Sequence, residues 1–199
     1  MIFRFFCFYN FNFLDTQTIT TTIAIATAVT TTTTQNSVCT LGGLTCPTPM
    51  FTWDRSNNCT KPAASYIYYS CCYQAISNQL TIEFLLREDV SNWFIDDVSI
   101  TQGNGELVIN GGFESNLTGW TAISSAGNLA ITPLSVQSIG SAHAGSSYLY
   151  SEAKTTFDRV KQTVNVTQGQ NVNISFWWLD EGGVPGPTEI CEASVTLTP

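Results

Sequence analysis

The chain has 199 residues, of which 11% are charged, and its formal net charge is −8. Charged residues make up about 25% of an ordinary soluble domain, so Thr, Ser, Asn and Gly fill most of the polar positions here. The seven basic residues do not cluster. This argues against nucleic acids and other polyanions as partners, because phosphate binding needs grouped Lys and Arg.

The first 38 residues differ in composition from the rest of the chain. Residues 1–14 combine one Arg with an aromatic-rich apolar run, which partly resembles a signal peptide. The run is too short to span a bilayer, so membrane anchoring is not favoured, although the Thr-laden segment 19–29 leaves a transmembrane helix as an alternative. In residues 16–34, eleven of nineteen are Thr and none is charged. We predict a signal or anchor remnant followed by a disordered stalk over 1–38, either O-glycosylated or a plain linker.

Seven cysteines are present, and five of them lie between residues 39 and 72. Their spacing lacks the paired pattern of a zinc site, and His143 is the only histidine. Such local density is typical of secreted domains with disulfides, and free buried thiols are the alternative. The six disulfide candidates, with Cys7 left out, are Cys39, Cys46, Cys59, Cys71, Cys72 and Cys191.

Four N-glycosylation sequons also occur, at Asn58, Asn116, Asn165 and Asn173. Each is weak alone, because Asn-x-Ser/Thr is common by chance in a Thr-rich chain. Together with the cysteines they favour a secretory route, and we predict an extracellular or cell-surface location.

Beyond residue 38 the chain shows short alternating or β-branched runs bounded by Gly, Asn, Ser and Pro. Many short strands separated by turn signals predict an all-β fold, an antiparallel β-sandwich or jelly roll. The predicted strands cover residues 65–73, 79–86, 93–101, 107–109, 119–123, 147–151, 159–166, 171–179 and 193–197.

Two of these strands allow a test of which side chains face outward. A strand alternates sides with a period of two residues. In 159–166 the alternation places Asn165 on the polar face, and in 171–179 it places Asn173 there together with Trp177. Both sequon asparagines are therefore predicted to be exposed, as a glycan requires.

Residues 107–120, LVINGGFESNLTGW, resemble the opening of galactose-binding-like jelly rolls and related carbohydrate-binding modules, which begin with Asn-Gly-x-Phe-Glu and continue to Gly-Trp. The resemblance implies a galactose-binding-like β-sandwich. Further segments resemble later strands and turns of that family, namely 144–148, 160–162, 168–169, 174–177 and, as its closing strand, 93–100.

The order of these segments departs from the family, because the closing Asp-Asp-Val strand here precedes the opening motif. Residues 39–101 look like the second half of a module and residues 106–199 like the first half. Each is short for a sandwich and leaves a sheet edge unpaired. We predict one composite, circularly permuted sandwich over 39–199, with two truncated tandem modules as the alternative.

The resemblance also implies a structural Ca²⁺ between Glu114 and the acids Asp96 and Asp97. Neighbouring carboxylates on a strand point to opposite faces, so we expect one of Asp96 and Asp97 to bind it. Calcium takes six to eight oxygen ligands, and other groups would complete the set. The alternative is that these acids cap turns or accept backbone N–H groups.

A sugar site needs a flat aromatic ring for the C–H face of the sugar and polar groups for its hydroxyls. Trp177 on an outward face meets the first need. The predicted ligand-binding set is Trp177, Tyr148, Tyr150, Asp180 and Glu181. The alternative is that such aromatics are core, to which we assign Phe113, Trp120, Phe176 and Trp178.

No nucleophile elbow, zinc-protease helix motif or phosphate-binding loop is present in the sequence, so we predict no enzyme. Adjacent acids such as Asp180 and Glu181 are no sign of two carboxylates across a cleft. The predicted function is a non-catalytic extracellular module that binds glycans or glycoproteins. The alternatives are a structural or adhesive surface protein without a sugar site, and a fragment of a larger secreted enzyme.

Overall fold

A computed structural model describes residues 46–47, 49–54, 65–124, 134–138, 140–183 and 189–199. The predicted stalk, Asn58, Cys39 and Cys59 lie outside the described residues. Within these ranges, no helix has the length and apolar character needed to cross a membrane. The strands are β1 (Phe51–Trp53), β2 (Ile67–Gln74), β3 (Gln79–Glu88), β4 (Trp93–Gln102), β5 (Gly105–Glu106), β6 (Thr121–Ile123), β7 (Leu134–Gln137), β8 (Tyr148–Ser151), β9 (Asp158–Asn165), β10 (Asn171–Asp180) and β11 (Cys191–Thr198).

The strands form two antiparallel sheets, which confirms the predicted antiparallel β-sandwich. The five-stranded sheet has the order β1-β11-β3-β9-β6. The six-stranded sheet has the order β2-β10-β4-β8-β7, and β5 pairs with β4. Strands from both sides of residue 103 alternate within each sheet: β10 lies between β2 and β4, and β3 lies between β11 and β9. Each part of the chain therefore supplies the hydrogen-bonding neighbours of the other.

Side chains alternate along β9 and β10 as the sequence predicts. In β9 every second residue is buried, and Asn165 falls among the exposed ones. In β10 the inward residues join the core, and Asn173 is exposed on the opposite face. The four aromatic residues assigned to the core are all buried, namely Phe113, Trp120, Phe176 and Trp178.

The predicted strand at 107–109 is wrong. Side chains bind part of its backbone, and the one hydrogen bond to β4, from the Leu107 N–H to the Ile100 carbonyl, is not continued into a strand ladder. The Glu106 carboxylate accepts the N–H groups of Leu107 and Val108. The Gln162 amide accepts the Ile109 N–H and donates to the Ile109 carbonyl. Three short strands were not predicted, namely β1, β5 and β7, which have three, two and four residues.

Disulfides are present, as predicted for part of the cysteine set. Cys46 is bonded to Cys71 on the inner side of β2, and the Cys46 N–H also donates to the Cys72 carbonyl. Cys72 and Cys191 are disulfide-bonded as well. Such cross-links restrict the unfolded chain and so stabilise the folded one.

The Asn-Gly-Gly-Phe-Glu motif lies directly against β4. The Val98 N–H donates to the Gly111 carbonyl, and the Leu107 N–H donates to the Ile100 carbonyl. A Cβ at position 111 would lie 1.9 Å from the Val98 carbonyl oxygen. Only glycine permits this approach, so the motif's second residue is dictated by its contact with β4.

We therefore expect Gly111→Ala to destabilise the fold by about 1–3 kcal/mol or more, because the methyl group forces the motif away from β4. Gly105→Ala is the matched control, since its Cβ would meet only the Gln102 carbonyl at 3.6 Å. Urea unfolding of both variants measures the difference. Equal stability of the two variants would contradict the contact.

Candidate functional site

A bulge in β4 determines where two of the predicted acids point. Trp93 and Ile95 face the core, and the next inward residue is Val98 instead of residue 97. The β10–β4 pairing shifts register at this point, and Asp97 has a left-handed φ of 48°. An extra residue in a strand turns the following side chains by one position. Regular alternation therefore fails between Asp96 and Asp97.

Both carboxylates contact the same residue, His143, so the expectation that they face opposite sides is wrong. Asp96 Oδ2 accepts the backbone N–H of His143 at 2.8 Å. Asp97 Oδ2 lies 2.6 Å from Nδ1 of the His143 ring. The bulge allows two sequential acids to hold one loop residue by its backbone and by its side chain.

Asp96 is fully buried and accepts N–H groups from Asp97, His143 and Ala144. Burial raises the pKa of Asp96 to about 6, although these hydrogen bonds oppose the shift. Glu114 is exposed and accepts the N–H groups of Ser146 and Ser147 and the hydroxyl of Ser146. Hydrogen bonds from Ser146 are the main reason that the pKa of Glu114 is lowered.

The three predicted calcium ligands thus accept hydrogen bonds from the loop 143–147, the alternative stated for them above. This loop offers N–H donors to the acids, whereas calcium requires oxygen ligands. In the part of the chain that the structure describes, one group of three candidate ligand side chains lies within 4.8 Å, and it is Glu88, Asp180 and Cys191. The sulfur of Cys191 belongs to a disulfide and offers no thiolate. The calcium site stays a prediction that this geometry does not favour.

Trp177 lies on the outer face of the six-stranded sheet and is flanked by two rings. The Tyr68 ring, directly across on β2, has its centroid 5.0 Å from that of Trp177. The His143 imidazole stacks on the indole, with centroids 3.8 Å apart and an interplanar angle of 16°. The His143 side chain is 29% exposed. Nothing in the sequence signals this stacking.

A depression of about 470 Å³ opens beside this stack, between Tyr66, His143, Trp177 and Leu179. The Tyr66 ring meets the His143 ring edge-on at 5.6 Å. The Tyr66 hydroxyl is buried and has no hydrogen-bond partner among the described residues. Burial first, and then the charge of Asp96, raise the pKa of Tyr66, so its phenol stays a neutral donor at neutral pH.

The remaining predicted ligand-binding residues lie elsewhere. Tyr148 is buried against Phe94. Tyr150 donates its hydroxyl to Asn92, and Asn92 in turn donates to Glu181. Asp180 was predicted to be available to a sugar, and this is wrong because its exposure is 1%. Strand β10 continues through position 180, and alternation turns this side chain inward beside Trp178.

Outward residues of β2, β10 and β4 form a shallow trough, which we call the outer trough. Its first rung places Asn173 between Cys72 and Thr101, its second places Ser175 between Ser70 and Ser99, and its third places Trp177 between Tyr68 and Asp96. A depression of about 270 Å³ lies over the first two rungs and reaches Tyr68. The first two rungs carry no charged side chain.

Comparison of the chain with protein-family models, with curated proteins and with solved structures finds no match in any of the three. The resemblance to galactose-binding-like modules therefore stays a prediction.

Because Asp96 is buried, we expect the free energy of unfolding to have an unusual pH dependence. The measurement is made in calcium-free buffer. The folded-state pKa of Asp96, about 6, lies above the unfolded value, so the folded protein binds this proton more tightly. The stabilisation that protonated Asp96 gives the folded state is therefore fully present below the unfolded pKa and is lost as the pH rises through 6. The unfolding free energy of the wild type, minus that of Asp96→Asn, should fall by about 2 kcal/mol from pH 4 to pH 7.

Urea unfolding at pH 4, 5, 6 and 7 measures this difference. Glu114→Gln serves as the control of opposite sign. Because the folded-state pKa of Glu114 is lowered, the stabilisation it gives the wild type should disappear as the pH falls. A difference for Asp96→Asn that does not change with pH would show that Asp96 titrates normally.

Proposed function

We propose that this chain is a non-catalytic extracellular binding module that holds a glycan or glycoprotein on the outer face of its six-stranded sheet. The observation that supports this most is the pairing of Trp177 with Tyr68, whose exposure is 53%. Other large aromatics of the described strands mostly serve the core. Two aromatic rings side by side on an outward sheet face form an apolar patch that marks a contact surface.

The surroundings of this pair favour a neutral, hydroxylated ligand. A pyranose can place its C–H face on an aromatic ring while its hydroxyls reach nearby polar groups. Ser70 and Ser175 lie one rung away and offer hydroxyl groups, and at the other side the buried Tyr66 phenol has no acceptor among the described residues. The charge nearest the first two rungs is the carboxylate of Glu106, which accepts the Ser99 hydroxyl, so an anionic ligand is disfavoured.

His143 covers one face of the indole in this structure, so a ligand that stacks on that face must displace it. The imidazole of His143 is hydrogen-bonded to Asp97, and the backbone N–H of His143 donates to Asp96. The loop that carries His143 is thus part of the proposed site, although only the acids that hold it were named from sequence.

The proposed extracellular location is supported by the disulfide chemistry. Cys46, Cys71, Cys72 and Cys191 are all disulfide-bonded. Disulfides persist in oxidising compartments and are rare in the cytosol of most organisms.

Trp177→Ala is expected to weaken binding to the best ligand on a glycan array at least about fivefold, because a central aromatic contact is commonly worth more than 1 kcal/mol. The array is read with calcium and again with chelator, and we expect no difference between them. Ile123→Ala is the matched control, since it removes an exposed apolar side chain from the other sheet.

Two array results would contradict this proposal. Unchanged binding by a folded Trp177→Ala variant would show that Trp177 is not part of the binding site. If the wild type, with its N-linked glycans removed, binds no glycan on the array, a structural or adhesive role without a sugar site would be favoured.

His143→Ala is expected to strengthen binding by about two- to tenfold. An aromatic pair is worth about 0.5–1.5 kcal/mol, and the variant no longer has to break one before the ligand stacks. Titration calorimetry with the best array ligand measures the change. Weaker binding would show instead that His143 contacts the ligand directly.

A further inference from the structure

We propose that the outer trough is filled in cis by an N-linked glycan on Asn173, whose first sugars lie along the trough towards Tyr68 and Trp177. This deepens the proposed function and rests on it, because the same aromatic pair would receive the chain's own glycan. The ligand class is that of an N-linked core, a neutral oligosaccharide that begins with N-acetylated hexosamines.

The position of Asn173 supports this. It is exposed near the start of β10, a strand that is hydrogen-bonded on both sides, and it begins an Asn-Ile-Ser sequon. Its side chain therefore leaves the sheet on the same face as Trp177. The depression of about 270 Å³ borders Asn173 itself, so a sugar attached there starts inside it.

The length and lining of the trough also fit. Asn173 and Trp177 are four residues apart on one face, which corresponds to about 13 Å along a strand. Between them lie the hydroxyl groups of Ser70 and Ser175, and the depression has no charged side chain in its lining. The nearest carboxylate, Glu106, accepts the Ser99 hydroxyl at the β4 side. The far end is the exposed ring of Tyr68. A sugar chain that follows the trough meets hydroxyls first and then two aromatic rings.

A second sequon in the described residues lacks these features and gives an internal control. Asn165 is exposed at the end of β9 and pairs with Gln79 on β3. It also borders a depression, of about 590 Å³, but the lining there contains no aromatic residue. The two sites thus differ in whether aromatic rings lie within reach of the attached sugars.

The full chain is expressed through the secretory route of a glycosylating eukaryotic host. An amidase then releases the glycans from the native protein. Glycopeptide mass spectrometry follows the release at each site separately. We expect both sites to be occupied and release from Asn173 to be about two- to tenfold slower than from Asn165, the range that one aromatic contact provides. After unfolding and reduction the two rates should agree.

Tyr68→Ala and Trp177→Ala should each speed release at Asn173 and leave release at Asn165 unchanged. An unoccupied Asn173 would overturn the proposal, as would equal native release rates at the two sites. The wild-type comparison needs no variant, so it stands even where a variant fails to fold.

Asn173→Gln separates this proposal from the proposed function. If both hold, the variant binds added glycans more tightly than Asn165→Gln does, because the trough is free. If neither variant binds any glycan while release at Asn173 is slow, binding in trans fails and the cis glycan stands. If Asn173→Gln and Asn165→Gln bind equally well, the trough is not filled in cis.

Discussion

The hydrogen bonding of β10 to strands on both of its sides is the constraint on which the rest of the structure depends. Strand β10 lies between β2 and β4. These two strands precede the Asn-Gly-Gly-Phe-Glu motif in the chain, and β10 follows it. The inward side chains of β10, such as Phe176 and Trp178, pack into the core. Its outward side chains form the middle of the outer trough. One strand therefore links the hydrophobic core to the proposed binding surface.

Backbone strain concentrates beside this surface. Non-glycine residues with positive φ are rare, yet Asp97, Asn110, Phe113 and Asn116 all have φ between 48° and 57°. Phe113 is held there by complete burial, and Asn110 binds the backbone of its own loop through its side chain. Such residues persist only where their surroundings over-determine them. The loop after β5 binds Ser146 and Ser147 through Glu114. The bulge within β4 binds His143 through Asp96 and Asp97, so both features hold the loop that carries His143.

Much of the fold follows from local sequence, because β3, β9 and β10 alternate strictly between buried residues and partly or fully exposed ones. The same alternation correctly places Trp177 outward. It fails at Asp96 and Asp97, since the run Phe-Ile-Asp-Asp-Val contains no glycine or proline to signal a bulge. It also fails for Asp180, where the strand runs one residue further than its composition predicts.

The site depends on contacts that no local pattern encodes. His143 lies far from Trp177 in the chain, and its stacking requires the bulge, two acids and a returning loop to coincide. The segment 107–109 has the composition of a strand, but the side chains of the adjacent Glu106 and the distant Gln162 bind its backbone. Side-chain hydrogen bonds thus override the strand propensity of this segment.

Native-state hydrogen exchange on the full chain tests most directly whether the two parts of the chain share one cooperative sandwich. Amides of β4 and β10 in the six-stranded sheet, and of β3 and β9 in the five-stranded sheet, should exchange with a single free energy equal to that of global unfolding. Lower protection of β2 to β4 as a separate unit, with β9 to β11 still protected, would contradict this account. The shared core and the outer trough would then both be lost.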